Sequence, residues 1–178
     1  VNVGDVLEGF ISDFSFLGGS LLGKLYRLSA DVLTMAVLVG ITCLLVRRFV
    51  MRSTAFEFHD NIMLHPKARR GMTLDSLIVG MFILLHVGSR IVGASASIAA
   101  GDADPVWQPF AAVLSLSWSR LDYHGLVVLE HSSWWMSLGL ILAFLPYFPY
   151  SKHLHIIVAP INFLTRPKRD ALGTLDAM

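Results

Sequence analysis

Cysteine is nearly absent from this sequence of 178 residues. Cys43 is the one cysteine, and it stands within an apolar run. A lone thiol can neither form a disulfide within the chain nor supply the set of thiolates that iron–sulfur clusters and structural zinc sites use. We therefore expect any iron–sulfur cluster that works with this protein to lie on another polypeptide or beyond Met178.

Charged residues are also scarce. They make up 15% of the chain, against 54% hydrophobic residues, and the mean hydropathy is +0.63. Soluble domains have about 25% charged and about 45–50% apolar residues. A formal net charge of +1 provides no basic surface for nucleic acid, and the sequence has neither a glycine-rich phosphate loop nor a nucleophile motif. The composition predicts an integral membrane protein without a nucleic-acid partner.

Three apolar runs are long enough to cross a hydrocarbon core of about 30 Å, which takes about 20 helical residues. They cover residues 26–46, 72–96 and 125–148. Before them, residues 1–25 mix apolar and acidic side chains and predict an amphipathic segment on the outer surface. About a dozen apolar residues between Trp107 and Trp118 predict a short outer interfacial helix. The expected fold class is thus all-α, with about three transmembrane helices.

Basic residues concentrate between the first two spans. They are Arg47, Arg48, Arg52, Lys67, Arg69 and Arg70. The positive-inside rule makes this connection cytoplasmic, so the N-terminus is expected outside and the C-terminus inside the cytoplasmic membrane of a prokaryote. The chain then divides into an outer segment (1–25), a membrane domain (26–165), whose ligands are considered below, and a cytoplasmic tail (166–178) that is a candidate start of a further domain.

Two of the seven histidines lie inside the predicted spans. His86 and His131 are about 15 Å and about 9 Å from the outer ends of their helices at helical rise. Two neutral imidazoles on facing helices at one depth are what the iron of a low-spin b-type haem requires. Arg90, one turn beyond His86, is a candidate partner of a haem propionate. Alternatively, the two histidines only form hydrogen bonds that hold the helices together.

Small residues surround both histidines and would let a macrocycle approach the backbone. They are Gly80, Gly88, Gly93, Ser132, Ser133 and Gly139.

The third span ends in the stretch YFPYSKHLHIIVAPINFL. Pro146 and Pro149 are expected to break the helix, and the freed backbone groups then need protein or water around them. A cavity rimmed by Tyr150, Lys152 and His155 would suit a quinone headgroup, whose two oxygens need hydrogen bonds while its tail stays in lipid. The alternative is an ordinary exit from the membrane in which the lysine reaches the surface.

The run EHSSWWMSLGLILAFLPYFPYSKHLHIIVAPINFLTRP resembles the last transmembrane segment of cytochrome b-like membrane domains in heterodisulfide-reductase-related iron–sulfur oxidoreductases. That family is similar to the gamma subunit of respiratory nitrate reductase. LLHVGSRIVGA is weakly similar to its haem-bearing second helix. The resemblance implies a quinone-reactive subunit with b haem, which passes electrons between the quinone pool and an iron–sulfur protein or flavoprotein on the cytoplasmic side. RPKRDALGTLDAM resembles the start of an iron–sulfur continuation.

The sequence departs from the family at two positions. Relatives often carry histidines where Asp75 and Ser137 stand. His86 and His131 would still hold one outer haem, which is the first expectation. A second haem would use His153 or His155 with His65 or His59, and no haem is the third option. Three helices would leave haem edges exposed to lipid, so a homodimer or larger complex is expected.

Two other functions are compatible with the same residues. The chain could be a haem-free membrane anchor that docks a peripheral redox enzyme. It could also be a proton or ion channel built on Asp75, His86, Arg90 and His131.

Overall fold

The computed structural model describes residues 17–51, 65–151 and 154–165, together with Leu7, Phe10 and Ile11. Its α-helices are α1 (Leu21–Leu45), α2 (Pro66–Ala100), α3 (Pro109–Ser115), α4 (Tyr123–Tyr147) and α5 (His155–Thr165). A π-helical turn, Val46–Val50, extends α1, and 3-10 turns lie at Pro105–Trp107, Leu116–Trp118 and Phe148–Tyr150. The described part of the chain contains no strand, which confirms the all-α prediction.

Three of these helical segments are long and apolar enough to cross a membrane. They are Leu21–Val50, Arg70–Ala100 and Tyr123–Tyr150, and they confirm the three predicted spans and support a membrane location. The first begins earlier than predicted, because the Ser20 side chain accepts a hydrogen bond from the Gly23 N–H and caps the helix. The proposed domain boundary after residue 25 therefore falls inside α1.

The ends of α2 and α4 follow recognisable capping signals. His65 caps α2 before Pro66, and Gly101 ends it with a φ of 89°. Asp122 caps α4 by accepting from the Gly125 N–H. Of the two prolines predicted to break the third span, Pro146 lies inside α4, whereas α4 ends at Tyr147 and a 3-10 turn that contains Pro149 follows. A proline in the last turn removes only one intrahelical hydrogen bond.

Helix α2 is the centre of the bundle and packs against α1, α3 and α4. At two crossings a glycine lets the neighbour approach. A Cβ on Gly80 would lie 2.6 Å from the Leu45 side chain, and one on Gly93 would lie 3.3 Å from the Ser133 Cβ. Close approach through small residues is how helices pack in membranes, where no hydrophobic effect drives them together.

The two ends of the bundle differ in their charged residues: one has basic residues, and the other has three aspartates together with Lys24 and Arg120. The end where α1 finishes and α2 begins, here called the basic end, carries Arg47, Arg48, Lys67 and Arg70. The opposite end, here called the acidic end, carries Asp102, Asp104 and Asp122.

At the acidic end, α3 is fixed to the spans by two side chains. Asp31 of α1 is only 6% exposed, and its carboxylate accepts from the N–H groups of Phe110 and Ala111 at 2.7 and 3.2 Å. The Trp118 indole N–H donates to the Ser95 hydroxyl of α2 at 2.9 Å. The predicted short helix is confirmed, and its first turn is capped from another helix.

The described part of the N-terminal segment contacts the third span, and its predicted place on the outer surface stays a prediction. The Phe10 ring meets Trp134 edge to face, with centroids 5.4 Å apart, and lies 6.5 Å from Trp135. Trp134 is about 17 Å along α4 from Tyr123 at helical rise. Phe10 therefore contacts the middle of the third span.

Helix α5 was not predicted. All of its side chains are exposed. At 11 residues it is apolar but too short to span. Such a helix suits the membrane surface. The tail, residues 166–178, lies outside the described residues.

Candidate functional site

His86 makes a hydrogen bond between two spans. Its Nδ1 lies 2.9 Å from the Ser137 hydroxyl oxygen and 3.2 Å from the Ser137 carbonyl oxygen. The side chain is half-buried between α2 and α4. This contact is the one expected if the histidine holds helices together.

His131 lies on another face of α4. Its side chain is exposed, and its Nδ1–H donates to the Val127 carbonyl of the same helix at 2.8 Å. Six residues separate it from Ser137, which is about 9 Å along the helix and about 120° around it. Because Ser137 is the residue that faces His86, the structure does not bring His86 and His131 together.

A haem held between these two histidines of one chain does not fit this arrangement. The glycines expected to make room for it serve helix packing instead, since Gly80 faces Leu45 and Gly93 faces Ser133. Only Gly88 and Gly139 of the expected set adjoin open space. Among the described residues, no group of three or more His, Cys, Asp or Glu side chains could hold a metal ion; this finding does not bear on a haem, which takes two axial ligands.

Arg90 lies one turn beyond His86 on α2 and is half-buried. Its role as a propionate partner stays a prediction.

The structure describes two of the three residues predicted to surround a quinone, and the prediction stays untested. Tyr150 is 88% exposed, and His155 is exposed at the first position of α5. His65 caps α2 by accepting from the Lys67 N–H at 3.2 Å, so its Nδ1 already has a partner. Lys152, His153 and His59 lie outside the described residues.

A polar pair that the sequence did not predict lies near the basic end. The Tyr147 hydroxyl donates to Asp75 Oδ1 at 2.6 Å, joining α4 to α2. The other carboxyl oxygen, Asp75 Oδ2, is buried and has no hydrogen-bond partner within the described part of the protein. Asp75 is about 8 Å along α2 from Arg70 at helical rise. The pair thus lies inside the bundle but close to its basic end.

An aromatic cluster adjoins Tyr147. Phe144 is the central ring, with centroids 6.0 Å from Tyr147, 6.0 Å from Phe148 and 5.3 Å from Phe82 of α2. Offset and edge-on packing at these distances is favourable for aromatic side chains. The phenol that donates to the Asp75 carboxyl is therefore part of an aromatic cluster.

The pair has a specific chemical capacity. A carboxyl and a phenol can each accept or donate a hydrogen bond, depending on which holds the proton. A buried carboxyl oxygen without a donor raises the free energy of the site, and more so in a membrane. Ionisable residues inside spans are functional candidates for this reason. Asp75 was noticed in the sequence as such a residue, but nothing there indicated that Tyr147 reaches it.

The chain is similar to the probable iron-sulfur-binding oxidoreductase FadF of Bacillus subtilis (strain 168). The two are 36% identical over 55 residues, which is 31% of this chain and 8% of FadF. This chain therefore matches only a small part of that relative's length. No protein-family model and no solved structure matches the chain. The similarity is consistent with a redox role and with part of the predicted family resemblance, and the relation to nitrate reductase gamma subunits stays a prediction.

Proposed function

We propose that this chain is the membrane domain of a quinone-linked iron–sulfur oxidoreductase. It passes electrons between quinone in the lipid and an iron–sulfur protein or flavoprotein at the basic end, which the positive-inside rule places in the cytoplasm of a prokaryote. The observation that carries the proposal is the similarity to an iron-sulfur-binding oxidoreductase in a chain with one cysteine and three candidate spans. Such a chain supplies the membrane part of a redox protein whose clusters lie elsewhere.

The polar groups inside the spans support this proposal. His86 and Ser137, and further along Asp75 and Tyr147, meet at the contact between α2 and α4. Ionisable groups in spans are costly and usually mark a pathway or a ligand site. A ligand for such a site must reach it from the lipid or from the membrane surface. A quinone can do so, because its tail is soluble in lipid and its headgroup is polar.

If the complex contains haem, the exposed His131 would bind it at an interface between two chains. With Nδ1–H donated to Val127, a neutral His131 imidazole keeps its Nε2 lone pair for an outside partner. The side chain is exposed about 12 Å along α4 from Tyr123 at helical rise. It therefore suits one axial position of a b-type haem at the interface of a homodimer or larger complex. When bound, such a haem would carry single electrons.

A haem-free anchor is the second candidate. The observation that favours it is the His86–Ser137 hydrogen bond, which uses the histidine to join helices. In this case the chain holds a peripheral redox enzyme at the membrane and takes no part in electron transfer.

The proposal is tested on the complex purified from native membranes in mild detergent through a tag on this chain. We expect an iron–sulfur protein or flavoprotein to co-purify, and a short-tailed quinol to reduce its cluster or flavin, followed by electron paramagnetic resonance or absorbance. A partner that co-purifies but does not react with quinol or quinone would favour the anchor. A preparation with neither partner nor quinone reaction would overturn both functions.

A further inference from the structure

The two oxygens of Asp75 have different environments. Oδ1 accepts the short hydrogen bond from Tyr147, which fixes the orientation of the carboxyl group. Oδ2 is buried without a hydrogen-bond partner among the described residues. The neighbouring Ser76 hydroxyl is directed at the Met72 carbonyl of its own helix. A donor from outside the described protein is therefore needed at Oδ2.

The surroundings limit what that donor can be. A metal cation needs several oxygen or nitrogen ligands, and the described residues contain no such group. A phosphate or other anion would be repelled by a carboxylate at hydrogen-bonding distance. The Tyr147 ring, with the Phe144 ring beside it, gives a flat aromatic ligand faces on which to pack. A hydroxyl on an aromatic ring with a lipid-soluble tail meets all of these conditions.

We propose that Asp75 and Tyr147 form the binding site for a quinol headgroup. A quinol hydroxyl donates to Asp75 Oδ2, while Tyr147 positions the carboxyl through Oδ1. This inference rests on the proposed function. It places the quinone headgroup at Asp75 and Tyr147, whereas the sequence analysis predicted a cavity rimmed by Tyr150, Lys152 and His155. Tyr147 is a positioning residue, since its hydroxyl is directed at Asp75.

The site also gives one proton of the reaction a destination. Oxidation of the quinol releases two electrons and two protons. The two electrons pass to the partner, either together to one oxidised flavin or one each to two oxidised iron–sulfur clusters. One proton moves from the quinol oxygen to Asp75 Oδ2, and the other to water at the basic end, about 8 Å away along α2 at helical rise. Reduction of the quinone runs through the same groups in reverse.

The test compares Asp75→Asn with Asp122→Asn in the purified complex. Asparagine keeps the shape of the side chain but cannot take the proton at Oδ2. Asp122 is an exposed helix cap at the other end, where asparagine caps equally well. We expect Asp75→Asn to lower quinol oxidation and quinol affinity by roughly tenfold or more, as for loss of a hydrogen bond to a charged group, and Asp122→Asn to change neither.

Tyr147→Phe separates positioning from structure. It keeps the ring contacts with Phe144 and removes the bond to Oδ1. We expect a several-fold fall in kcat with partner assembly unchanged, because the carboxyl loses its fixed orientation. A Tyr147→Phe complex with unchanged kcat would show that the phenol does not position Asp75.

The outcomes distinguish this inference from the proposed function. A wild-type complex without quinol turnover refutes the proposed function itself. A wild-type complex that turns over, with an assembled Asp75→Asn variant active within twofold, shows that an ordered water alone satisfies Oδ2 and overturns the site. Should Asp75→Asn fail to assemble, an azidoquinone is photo-crosslinked to the wild-type complex. Label in the α2 and α4 peptides holding Asp75 and Tyr147 supports the site, and label elsewhere overturns it.

Discussion

The His86 imidazole lies 2.9 Å from the Ser137 hydroxyl, and this contact joins the second and third spans at a position where a haem ligand was predicted. The same serine stands where the predicted family resemblance led us to expect a histidine. The hydrogen-bonded pair therefore joins His86, which was predicted to ligate haem, to a position where a histidine was expected. The consequence is that His86 has a structural partner inside the chain, whereas His131 faces outward.

Removing the Ser137 hydroxyl should weaken this contact measurably. Hydrogen bonds between membrane helices average about 0.6 kcal/mol and reach about 1.7 kcal/mol, so Ser137→Ala should lower the free energy of unfolding in detergent by about 1 kcal/mol. Ser132→Ala is the control, because the Ser132 hydroxyl donates to Leu129 in its own helix. A double-mutant cycle with His86→Ala should give a coupling of similar size. Equal losses for both serines would mean that the His86 contact adds no stability.

Gly93 should tolerate a large side chain poorly. A Cβ there would lie 3.3 Å from the Ser133 Cβ, so the branched side chain in Gly93→Val overpacks the α2–α4 crossing and should cost about 1–3 kcal/mol. Gly88 on the same helix has open space, and Gly88→Val measures the effect of valine without the clash. Unfolding in detergent, monitored by circular dichroism, checks both. The packing assigned to Gly93 is wrong if the two variants unfold alike.

The number and approximate bounds of the spans could be predicted, because hydropathy determines them. Three apolar runs predicted three spans, and Pro66 and Gly101 stand at the ends of α2, where such residues are common. The face of a single residue was not predictable, because adjacent positions on a helix differ by about 100°. His131 was assigned to the α2 side on depth alone. The exact phase of α4 turns it outward instead.

Hydrogen-bonded pairs of residues far apart in the sequence could not be predicted either. Asp75 and Tyr147 are 72 positions apart, and Asp31 is 79 positions from Phe110. Each aspartate was visible as a costly residue near the end of a span. Its partner depends on how the helices pack, which hydropathy does not encode. The aromatic stretch at the end of the third span drew attention to Tyr150, but Tyr147, one turn earlier, is the residue that faces the bundle.

Loss of the Asp31 carboxylate should release α3 from the acidic end. Asp31→Ala leaves the Phe110 and Ala111 N–H groups without their cap, at a cost of about 1–2 kcal/mol. Hydrogen exchange at those two amides should speed up, while exchange in the middle of α2 should not. Asp31→Asn is the matched variant, since its amide oxygen can still cap one of the two groups. Unchanged exchange at Phe110 in Asp31→Ala would show that water caps α3 equally well.

Haem stoichiometry should reveal where any b-type haem lies. A haem held by His131 from two chains gives about one haem for every two chains, whereas a pair within one chain gives about one haem per chain. A pyridine haemochrome assay on the purified complex measures this ratio. His131→Ala should abolish the reduced-minus-oxidised band, and His86→Ala should retain it, because the His86 ring is held at Ser137 between the helices. One haem per chain, lost in both variants, would mean that α2 and α4 rotate in the complex so that both imidazoles reach the same iron.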